Sequence, residues 1–87
     1  MTMKKPEGVI VALVKLHGFD IVKFAGAMRI SVTRADCILR GHEPPPHPAI
    51  TSYDGLALLT GKKPSELATW AESDRHDFYS TPPQFRR

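Results

Sequence analysis

The chain has 87 residues, of which 41% are hydrophobic and 24% charged, with one cysteine and a formal net charge of +3. That length suits one compact domain burying about 60% of the surface its unfolded form exposes. A single cysteine excludes an internal disulfide, and no apolar run approaches the roughly 20 residues that cross a bilayer, so no membrane partner is expected. The longest apolar run, residues 9–14, leads into Lys15 and His17 without a small-residue cleavage site, which reads as a cytoplasmic protein rather than a secreted one. Charge is unevenly spread. Residues 1–42 hold seven Lys or Arg against three Asp or Glu, and residues 43–87 hold five against six. The amino-terminal half is therefore the face that would attract an anionic partner, although on charge alone a cluster of solvated lysines is the better reading.

In chain order, Pro6 suits the first turn of a helix, because its missing N–H has no partner there to lose. Val9, Ile10, Leu13, Val14 and Leu16 then recur at helical spacing, and Gly18 stops that helix. Asp20 caps a second helix with Ile21, Phe24, Ala25 and Met28 on its apolar face. Ser31 caps a third, with Ala35, Ile38 and Leu39 inward and Gly41 as its end. Four prolines within residues 42–48 remove donors and enforce a stiff, extended connector. Ile50, Tyr53, Leu56, Ala57 and Leu58 predict a fourth helix capped by Ser52. Pro64 opens a fifth, which sends Leu67 and Trp70 to the core. Beyond Asp74 no period is visible, so residues 75–87 read as an irregular arm attached to a domain of residues 1–74. The expectation is an all-α domain of five short helices with no strand.

The link between the second and third helices is only three to four residues, through Met28, Arg29, Ile30 and Ser31. So short a turn makes the two helices cross steeply and leaves the third one protruding. Ala25 is small where the third helix crosses, Ile30 plugs the core from the turn, and Ala35 and Ile38 anchor the protruding helix. Ser31, Val32, Thr33, Arg34, Cys37 and Arg40 remain exposed.

With Gly18, Phe24, Ala25, Ile30, Ser31, Ile38 and Gly41 at these spacings, and residues 53–67 following a proline-bearing connector, the chain resembles the helix-turn-helix family of phage repressors and Cro-like regulators. The resemblance covers about residues 9–70. It differs from the family at three places: Ile21 stands where glutamine is usual, Arg29 where a left-handed glycine is usual, and Asp36 adds a negative charge to the third helix. The resemblance implies a lambda-repressor-like fold and a phage or mobile-element origin. It also implies a repressor that binds double-stranded operator DNA as a homodimer, with the third helix in the major groove. Arg34 then reads a guanine edge with its guanidinium fork, and Val32, Thr33 and Cys37 lie against base edges. Lys23, Arg29, Ser31 and Arg40 meet phosphates, which set affinity rather than sequence choice. Asp36 has two available fates, accepting from a cytosine amino group or pairing with Arg40 four residues on; the pair is expected.

His42, Glu43 and His47, with His17, His76 and Asp77, do not have the close Cys and His spacing of a structural zinc site. No nucleophile stands beside an evident base and no glycine-rich phosphate loop occurs, so neither metal, cofactor nor catalysis is expected. Phe78, Tyr79 and Phe85 concentrate aromatic surface in the arm, suited to a second copy or another protein, while Arg86 and Arg87 suit phosphates. An alternative function follows from these aromatics together with Ile21 and Asp36. It is a protein-interaction module on the same scaffold, such as an antitoxin or a polymerase-binding adaptor.

Overall fold

A computed structural model describes residues 8–80, and within them the chain is all-helical. The helices are α1 (Val9–Leu16), α2 (Ile21–Met28), α3 (Val32–Leu39), α4 (Asp54–Thr60) and α5 (Pro64–Ser80). Pro6, Phe85, Arg86 and Arg87 lie outside the described residues. α1 packs on α5, α2 on α3 and α4, and α4 on α5. One core results, filled by Ile10, Val14, Phe24, Met28, Ile38, Leu56 and Leu67, all fully buried.

The helix ends follow local chemistry. The Asp20 carboxylate accepts from the Lys23 N–H at 2.7 Å, and the Ser31 hydroxyl accepts from the Arg34 N–H at 3.1 Å. Both satisfy a first-turn donor that has no partner within its own helix. α1 and α3 close through Gly18 and Gly41, at φ of 70° and 83°. Each reversal is sealed by an N–H reaching back five residues: Phe19 to the Val14 carbonyl at 3.2 Å, and His42 to that of Cys37 at 2.9 Å.

Other expectations need correction. Leu16 is 82% exposed rather than inward, because Ile10, Val11, Leu13 and Val14 define the buried arc of α1. At about 100° per residue, Val9 and Leu16 fall outside that arc. Ile50 is not helical; it sits in a turn where its N–H meets the His47 carbonyl at 2.9 Å, and it is 84% exposed. Ser52 does not cap α4 in the ordinary position. Tyr53 is the N-cap residue, while the Ser52 hydroxyl accepts from the Asp54 N–H at 3.1 Å. Leu58 points outward because Leu56, Ala57 and Thr60 take the inner face.

The largest correction concerns the carboxyl-terminal arm. Residues 75–80 continue α5, which is 17 residues long and therefore not short. Leu67, Ala71 and Asp74 are its buried positions, and Phe78, half-buried, follows at the same spacing. The stripe is helical, but its third member is a carboxylate, which hides it from a search for apolar periodicity. Asp74 is buried for a reason. Its Oδ1 and Oδ2 accept from the N–H groups of Val9 and Ile10, each at 2.9 Å. Gly8, the N-cap residue of α1, has no side chain to offer, so α1 is capped from 65 residues away.

The proline connector is bound to the same side of the domain. Pro45 and Pro46 are buried, the Tyr53 hydroxyl donates to the Pro46 carbonyl at 2.7 Å, and Arg75 donates to that of Pro45 at 3.1 Å. Burial and then the Asp74 charge push the Tyr53 phenol well above its ordinary pKa of 10.0, with Arg75 and Arg34 opposing. It stays a neutral donor throughout the physiological range.

Candidate functional site

The site is built from α2, the turn after it, and α3. α2 presents Phe24, Ala25 and Met28 to the core, and Ala25 is 3% exposed. The turn reverses at Arg29, which takes the left-handed conformation at φ 57° and ψ 43°. Its closure matches that of the glycine-ended helices: the Ile30 N–H reaches the Ala25 carbonyl at 3.0 Å. Ile30 then packs, half-buried, against the core. Arg29 is the single described non-glycine residue with positive φ, so the position requires what glycine supplies freely and arginine does not.

α3 is held by Ala35 and Ile38, both fully buried, and its first turn is exposed. Ser31, Thr33 and Arg34 are exposed, and Val32 is 49% exposed. These four consecutive residues offer a hydroxyl, a branched apolar surface, a second hydroxyl with a methyl, and a guanidinium. Such a set can meet both base edges and phosphates. Cys37 corrects an expectation: it is half-buried rather than exposed, since it lies between the anchoring Ala35–Ile38 face and solvent.

The cations differ in how they are held. Lys23 places its ammonium 4.8 Å from the centre of the Phe19 ring. The Arg40 Nε donates to Asp36 Oδ1 at 2.9 Å, the pairing expected from their four-residue spacing. Arg34 Nε stands 3.8 Å from Glu43 Oε2, with both side chains about half exposed. Arg29 has no ion-pair partner among the described residues and borders a cleft of about 430 Å³. Met28, Ile50, Thr51, Ser52 and Gly55 line that cleft with it. Glu43 was not singled out from the sequence as a neighbour of Arg34. The one available signal was its place just beyond Gly41, where the chain reverses toward the helix it has left. Among the described residues, no cluster of His, Cys, Asp or Glu is arranged to hold a metal, and no helix is long and apolar enough to cross a membrane.

The fold and site define a small all-α domain whose second and third helices are joined by a tight, left-handed turn. Comparison with protein-family models, curated proteins and solved structures returns no match.

Arg29→Gly is expected to separate stability from ligand binding. Relief of the left-handed arginine offers about 1–2 kcal/mol, from which roughly 0.5–1 kcal/mol is lost to the greater unfolded-state freedom of glycine. A small rise in Tm, a few degrees for a domain of this size, should appear in a thermal melt. The same variant should bind any polyanion less tightly, because an exposed positive charge is gone. A lowered Tm would show that Arg29 makes contacts worth more than its strain.

Proposed function

We propose that this protein is a sequence-specific DNA-binding transcriptional regulator, a repressor of Cro or phage-repressor type. It acts as a homodimer on operator DNA by occupying a promoter. The observation that carries this reading is the first turn of α3. Four consecutive exposed residues, Ser31 to Arg34, stand on a helix locked by two fully buried ones, Ala35 and Ile38. A helix anchored in this way with its first turn exposed suits a major groove, which accepts an α-helix by its amino-terminal end. The excess of cations in residues 1–42 supplies the matching long-range attraction. A homodimer follows from the small reach of one helix: two copies read half-sites about 34 Å apart.

Base reading falls to Val32, Thr33 and Arg34, with Cys37 at the margin. Phosphate contacts fall to Arg29 and Ser31, with Lys23 and Arg40 available once freed from Phe19 and Asp36. Arg34→Ala is expected to weaken specific binding by about 1–3 kcal/mol and to relax preference at one base pair. Competition gel shifts with single-base variants of the bound site measure this. Equal weakening on every duplex would remove Arg34 from the base-reading set.

The decisive test is a gel-shift titration with DNA from upstream of the protein's own gene, against scrambled competitor at two salt concentrations. A saturable, salt-dependent complex that survives competitor supports the regulator. Weak binding lost equally to any DNA points instead to a protein-interaction module such as an antitoxin or polymerase-binding adaptor. The exposed Leu16 and Leu58, at 82% and 86%, favour that second reading. A truncation made to test it must begin after Ser80, because residues 76–80 belong to α5.

A further inference from the structure

Both arginines of the α3 segment are held by carboxylates of the same segment. Arg40 is bonded to Asp36 at 2.9 Å, and Arg34 faces Glu43 at 3.8 Å. Residues 31–43 therefore carry two arginines and two carboxylates and no formal net charge, although they lie where the chain is otherwise basic. A helix intended only to adhere to phosphates would gain nothing from this neutralisation.

We propose that Glu43 is a specificity-determining residue, an internal competitor that holds Arg34 away from phosphates and releases it to a matching base edge. The proposal rests on α3 being the DNA-reading helix. The Arg34–Glu43 pair is loose: it is a single approach at 3.8 Å, and the side chains are 47% and 46% exposed. Exposed pairs of this kind hold weakly and open readily. A guanine edge presents two acceptors in the geometry of the guanidinium fork, so it outcompetes the carboxylate. A phosphate offers a contact that Glu43 already imitates, and Glu43 also repels it. On a wrong sequence Glu43 therefore competes with phosphate for Arg34 and lessens what Arg34 adds to binding. On the right one Arg34 swings to the base. Asp36 acts in the same way on Arg40, which lowers the phosphate affinity of the far end of the helix.

Removing the carboxylate should thus raise non-specific binding more than specific binding. The test compares the intact protein with Glu43→Gln, in both the natural and the Arg34→Ala backgrounds. The probes are a duplex selected by the intact protein from a random-sequence library and a scrambled duplex of equal length. For Glu43→Gln, affinity for the scrambled duplex should rise roughly two- to fivefold per protomer, and its salt slope should steepen by up to about 0.9 per protomer as Arg34 gains a phosphate. Affinity for the selected duplex should rise by no more than about twofold, because Arg34 is already engaged there. In the Arg34→Ala background the steepening should shrink to the small part that loss of the Glu43 charge causes by itself. Equal gains on both duplexes, or steepening undiminished without Arg34, would overturn the role of Glu43 and leave the DNA-binding reading standing. If the library yields no enriched sequence, the DNA-binding reading fails and the proposal fails with it. Circular dichroism melts of each variant identify any that lose binding by failing to fold.

Discussion

Asp74→Ala is expected to destabilise the domain by about 2–3 kcal/mol, the scale of hydrogen bonds to a charged group. The carboxylate accepts from two N–H groups at the start of α1, and the residue is 5% exposed. Alanine leaves both donors without an acceptor. Val9 is 44% exposed, so water can reach its N–H; Ile10 is fully buried, so its donor has no such replacement. The positive end of the α1 dipole also loses its compensating charge. For a small domain whose whole margin is of order 5 kcal/mol, this is a large fraction. Urea denaturation with an unchanged m-value is the measurement, and Asp74→Asn should fall between the two because one acceptor oxygen is kept. A change within about 0.5 kcal/mol would mean that the cap is replaced by water at little cost. The consequence reaches the site only indirectly: α5 would lose its hold on α1, while the α2–α3 pair keeps its own core contacts.

Gly55→Ala is expected to destabilise as well, and Gly26→Ala to do the opposite. Both glycines lie inside helices, where replacement by alanine normally gains about 0.5–1 kcal/mol. At Gly26 an added Cβ meets nothing within 4 Å, so that gain should be realised. At Gly55 the added carbon would stand 2.5 Å from the Ala27 carbonyl oxygen and 3.3 Å from its carbon. Those are backbone atoms and cannot rotate away. α4 must move off α2, a strain of about 1–3 kcal/mol that outweighs the propensity gain. Because Gly55 and Arg29 border the same cleft, the displacement should also disturb the turn before α3. Paired thermal melts give the answer: Tm should rise for Gly26→Ala and fall for Gly55→Ala. Two rises would show that α4 slides aside freely.

The α2–α3 region was the most legible part of the chain. Its two caps and the Asp36–Arg40 pair depend on residues three or four positions apart, and the Arg29 reversal closes over five, from the Ile30 N–H to the Ala25 carbonyl. Of the α3 residues expected to be exposed only Cys37 is not, and it differs from its neighbours by its angle on the helix and not by its type. Glu43 was less legible, because its approach to Arg34 depends on the reversal after Gly41. Ile50 misled because an apolar residue ahead of a helix looks the same in sequence whether the helix includes it or not.

Local chemistry in the sequence determined where most helices start and stop. Asp20 and Ser31 cap, Gly18 and Gly41 reverse, and the prolines of residues 42–48 interrupt, each through groups a few residues apart. Tertiary structure decided what those helices present to each other. It turned Leu16 and Leu58 outward, set Gly55 against the Ala27 carbonyl, and extended α5 to Ser80. The buried stripe of α5 includes Asp74, whose partners Val9 and Ile10 are more than sixty residues away. A carboxylate in an apolar stripe reads as a break until the folded chain brings it the two donors that make its burial favourable.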